Sequence, residues 1–76
     1  MKVFGYQKDS EKLMELEEVT FQTDIKELDK IIKFLQVIKE QHSKVNGEVE
    51  CHSHFRDWDD QWNDNSTDLI VVTTKI

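Results

Sequence analysis

The stretch Cys51-His52-Ser53-His54-Phe55-Arg56-Asp57-Trp58-Asp59-Asp60-Gln61-Trp62 holds both tryptophans, the only cysteine, two of the three histidines and three aspartates. Three chemistries fit those residue types. Cys51, His52 and His54 are good ligands for zinc or a related ion, with Glu50, Asp57 or Asp59 to add. On a strand, however, Cys51 points away from the histidines, so His52 and His54 remain the only adjacent pair, and a strand face whose histidines bond nearby carboxylates is the simpler reading. The second chemistry is thiol catalysis, and it fails on the same alternation: His52 sits across the strand from Cys51 and is badly placed to deprotonate it, which favours a small core cysteine. Carboxylate pairs such as Asp57 and Asp59 can do acid-base work only inside a pocket, and nothing in the sequence builds one.

The third chemistry is recognition of a macromolecule. Tryptophan is enriched among residues that carry interface energy, and aspartates beside it steer a basic partner and pair with its Lys and Arg. On this reading His52, His54, Asp57, Trp58, Asp59, Asp60 and Trp62 form a partner-binding surface, with no catalytic residue, no resident metal and no cofactor. The competing structural role is that one of the tryptophans covers an open sheet face.

The elements that must position this stretch follow from hydrophobic periodicity. Met1 to Gln7 alternates and is expected as a first strand; Met14 to Gln22 is a second, joined to the first in antiparallel fashion around Asp9-Ser10. Within it Met14 and Leu16 fall on one face and Val19 and Phe21 on the other, which requires a bulge near Glu17-Glu18 or cover on both faces. At Asp24 the period changes. Asp24 and Glu27 have capping-box spacing, and Ile25, Leu28, Ile32, Leu35 and Ile38, widened by Ile31, Phe34 and Val37, predict an amphipathic helix over about 24 to 43. Lys26, Asp29, Lys30, Lys33 and Lys39 read as its solvated side, and Asn46-Gly47 as its terminator. Glu48 to Phe55 alternates again as a third strand, with Cys51 and Ser53 on one face and His52 and His54 on the other. A polar and aromatic loop over 56–67 follows, and Asp68 to Thr74 closes as a β-branched strand suited to the centre of a sheet.

The expected architecture is a single α+β domain over 1–76. Its order is strand-strand-helix-strand-strand, a two-layer sandwich with one helix on a mainly antiparallel four-stranded sheet. Apolar residues of the last strand that point away from the helix then need another cover, either the Trp58 and Trp62 loop or a second copy in a homodimer.

Composition narrows the function classes. A chain of 76 residues has room for one modest core, burying about 60% of its unfolded surface. No proline, two glycines and 37% hydrophobic residues argue against a disordered tail. Ten Lys and Arg against sixteen Asp and Glu leave a net charge of −6, which repels a nucleic-acid backbone and suits a basic protein partner. One cysteine, no secretory pattern and no long apolar run lead to the expectation of a soluble cytoplasmic protein without membrane attachment.

A family resemblance rests on particular residues. Glu18-Val19-Thr20-Phe21, the capped helix with Glu27-Leu28 in its first turn, His52-x-His54 followed by Asp57, Trp58 and Trp62, and Asp68-Leu69-Ile70-Val71-Val72 together resemble the immunity protein thirty-two family, small proteins of bacterial polymorphic toxin systems. The resemblance implies a non-enzymatic cytoplasmic protein that binds and neutralises a cognate toxin, with His52, His54, Asp57, Trp62 and Asp68 as the family-like polar positions. Gln61 stands where the family tends to have glycine, which leaves the loop conformation open. The acidic Asp57-Trp58-Asp59-Asp60 run has the charge to mimic the phosphates met by a nuclease toxin. The rival from another class is a small metal-binding or hydrolytic protein using His52, His54 and an aspartate.

Overall fold

The computed structural model describes residues 1–45 and 50–74. Strands β1 (Val3–Tyr6) and β2 (Leu13–Leu16) form an antiparallel hairpin with Val3 opposite Leu16 and Tyr6 opposite Leu13. Its turn closes with the Ser10 amide donating to the Gln7 carbonyl at 3.0 Å, and Asp9 takes the left-handed conformation at φ 60°. Aspartate tolerates that region better than bulky residues, which explains why this turn needs no glycine.

Helix α1 (Ile25–Ser43) begins where expected: Asp24 is extended, and its side chain accepts from the Glu27 amide at 2.7 Å. That carboxylate occupies one of the free donors of the first turn and faces the positive end of the helix dipole. The expected terminator, Asn46-Gly47, lies outside the described residues, as do Glu48 and Val49 of the expected third strand. Strand β3 (Cys51–His54) runs straight into a single turn of helix, α2 (Phe55–Trp58), and β4 (Ile70–Thr73) pairs antiparallel with β3.

Among the described residues the strands make two separate two-stranded sheets, β1-β2 and β3-β4, rather than one sheet of four. Consequently β4 is an edge strand and not a central one. Alternation along a strand reports which face is apolar, but it carries no information about which edges pair. The second strand also stops at Leu16, so Val19 and Phe21 lie in an irregular, exposed segment and no bulge is needed to reconcile their phase.

The core is small: Ile31, Phe34, Ile38 and Phe55, with Trp62, Leu69 and Val71 packed against them. Phe34 and Phe55 meet edge to face at 5.3 Å, the geometry favoured by ring quadrupoles. The face of α1 that is buried is therefore Ile31-Phe34-Ile38-His42, rotated from the expected stripe. Ile25, Leu28, Ile32 and Leu35 remain exposed, Ile25 at 81%. The helix is apolar over more than half its circumference, and β3-β4 covers only one side of that arc.

Candidate functional site

Strand β3 separates its side chains as alternation requires. Ser53 faces α1, where its hydroxyl lies 2.9 Å from His42 Nε2, and Cys51 shares that side two residues earlier. His52 and His54 take the other side, their rings edge to face at 5.8 Å. Cys51 is half-buried and free, on the opposite face from its sequence neighbour His52, so the strand assembles no thiol-imidazole pair from them.

His54 is fixed by a residue from the far end of the loop. Its Nδ1 lies 2.6 Å from Asp68 Oδ2, while Asp68 Oδ1 accepts from the Arg56 amide at 2.9 Å. Burial pushes the Asp68 carboxyl up, but the His54 hydrogen bond, the Arg56 amide and the charges of both residues outweigh it, and its pKa lies below the ordinary 3.8. The carboxylate thus joins β3, the first turn of α2 and the entry to β4. Among the described residues no group of three or more His, Cys, Asp or Glu side chains comes together to hold a metal ion.

The Trp-Asp segment divides into a rim and an anchor. Trp58 ends α2 with its indole stacked on Phe55 at 5.8 Å and tilted against Phe34 at the same distance, yet 37% of the residue is exposed. Asp57 beside it is open to solvent, with an ion pair to Arg56 at 3.6 Å. His52, His54, Asp57 and Trp58 line one open groove of about 300 Å³, together with Phe34 and Gln41. Four of the seven expected contact residues are therefore brought together.

The other three are not. Asp59 turns inward, its carboxylate taken by Lys30 Nζ at 3.3 Å and the Gln61 amide at 3.1 Å. Lys30 also donates to the Gln61 side chain at 2.7 Å, so Gln61 helps to clamp the loop to the helix. Asp60 is exposed on the turn between them. Trp62 leans on the core and donates from Nε1 to the Thr67 carbonyl at 3.3 Å. The acidic run does not present a row of carboxylates, because Asp57 and Asp59 point to different surroundings. Neither tryptophan covers the outer face of β4, where Ile70 and Val72 stay about half exposed.

His42 escapes a reading that looks only at the Cys51–Trp62 stretch. It is buried, with Thr73 Oγ1 at 2.8 Å from Nδ1 and Ser53 Oγ at 2.9 Å from Nε2, so both ring nitrogens are satisfied. Its position four residues after Ile38 on the apolar side of α1 is the sequence signal for its burial. Among the described residues no helix is long and apolar enough to cross a membrane. No family model, no curated protein and no solved structure matches this chain.

Proposed function

We propose that this protein is a non-enzymatic cytoplasmic module that neutralises a cognate bacterial toxin by stoichiometric contact through the Trp58 rim. The observation that carries the reading is Trp58 itself. Its indole is held by two aromatic neighbours, so little rotamer freedom is lost on binding, and it leaves apolar surface exposed beside Asp57, His52 and His54. A net charge of −6 favours fast encounter with a basic partner. The resemblance to toxin-system immunity proteins supplies the class of that partner.

The experiment is a search of the neighbouring reading frames for a toxin domain, followed by co-expression with it. Wild type is expected to restore growth and to bind the purified domain at one to one in calorimetry. Trp58→Ala is expected to lose both while keeping its far-UV spectrum. Growth restored equally by Trp58→Ala and wild type would refute the assignment of the rim.

The His54–Asp68 pair favours a second, hydrolytic reading, since a carboxylate on Nδ1 sets the tautomer a general base uses. Hydrolysis of an activated ester that disappears in His54→Ala would move the assignment to that reading.

A further inference from the structure

The chain exposes much more surface than its size requires. A folded monomer of 9.1 kDa presents about 4,900 Å² by the usual scaling, whereas this one presents 6929 Å². Its radius of gyration, 13.6 Å, also exceeds the roughly 11.4 Å of a compact chain of this length. The excess is about 2,000 Å² per copy, and obligate homodimers bury about 2,000–5,000 Å² over both partners. Seven exposed large hydrophobic residues fall in two places. One is the strip Ile25, Leu28, Ile32 and Leu35 along α1. The other is the face of the β1-β2 hairpin formed by Phe4, Tyr6 and Leu13, which alternation and register put on one side together with Glu15.

We infer that a second copy of this chain covers both surfaces, the α1 strip of each protomer receiving the β1-β2 ribbon of the other across a two-fold axis. The two surfaces are unlike, one a helix ridge and the other a flat ribbon, and every copy carries both halves of the contact, as an isologous interface requires. Glu15 on the ribbon face and Lys39, one turn beyond Leu35 on the strip, carry opposite charges. Residues 17–24, which belong to no strand or helix, join ribbon to helix and reach up to about 26 Å when extended, enough to carry the ribbon to a neighbour. These surfaces are separate from the Trp58 groove, so the inference does not rest on the toxin reading.

Light scattering on the eluting protein at micromolar concentration is expected to give twice 9.1 kDa for wild type. Leu13→Glu and Ile32→Glu are expected to elute at the single-chain mass with helical far-UV signal and tryptophan emission retained, and Val72→Glu, on the outer face of β4, to remain dimeric. A second measurement avoids dependence on destabilising variants. In a Cys51→Ser background, Leu13→Cys protein mixed with Ile32→Cys protein is expected to form a disulfide-linked pair under mild oxidation, whereas Leu13→Cys mixed with Val72→Cys is not. A monomeric wild type, folded glutamate variants that stay dimeric, a monomeric Val72→Glu, or no selective cross-link would each overturn the inference.

Discussion

Replacing Lys30 with methionine tests whether the helix-to-loop clamp holds the Trp-Asp segment in place. Methionine keeps most of the apolar stem and removes the charge, leaving the Asp59 side chain, 8% exposed, without its cation. At 3.3 Å and an effective dielectric of 20 the direct attraction is about 5 kcal/mol, most of which is offset by the desolvation of both groups. Breaking a fully buried pair from one side costs about 3–5 kcal/mol and an exposed pair is worth under about 1. With Lys30 a quarter exposed, the expected loss is about 2 kcal/mol. A domain of this length has about 4–11 kcal/mol in total, so the variant should fold with a clearly lowered urea midpoint. Asp59→Asn in the Lys30→Met background removes the stranded charge while keeping an acceptor for the Gln61 amide, and should recover about 1 kcal/mol or more. Urea unfolding followed by tryptophan emission measures all three proteins. A Lys30→Met loss under about 0.5 kcal/mol, or no recovery in the double variant, would show that the pair is only a surface contact.

His42→Leu keeps the volume but leaves the Ser53 and Thr73 hydroxyls without partners, an expected loss of about 2–4 kcal/mol in the same assay, and adding Ser53→Ala and Thr73→Val should return most of it. Because the Asp68 carboxyl titrates below 3.8 in the fold, its stabilisation is present above the ordinary carboxylate range and is lost as pH falls through the lowered value. Asp68→Asn should therefore be less stable than wild type by about 1–2 kcal/mol near neutral pH, with the gap closing in acid when unfolding curves are compared across pH. Trp62→Ala is expected to cost about 2 kcal/mol through lost packing and the bond to Thr67, so weakened partner binding in that variant should follow from lower stability, whereas Trp58→Ala, which loses its ring contacts with Phe34 and Phe55, should weaken binding beyond its own loss of stability.

Local signals in the chain were enough to specify local structure. Asp24, Glu27 and the three-four spacing of apolar residues define α1 to within a residue at each end, because capping and helix periodicity are properties of neighbours in sequence. The alternation around Cys51-His52-Ser53-His54 likewise separates the thiol from the imidazoles without any tertiary information. The choice of buried face on α1 was not available that way: with apolar residues at 25, 28, 31, 32, 34, 35 and 38, several rotations of the helix bury similar area, and Phe55, Trp62, Leu69 and Val71 select one of them by packing. The tertiary fold also decided which strands pair, drew Asp59 inward to Lys30, and divided the two tryptophans between rim and core. Those outcomes depend on residues tens of positions apart meeting in space, and neither hydrophobic period nor composition encodes such distances.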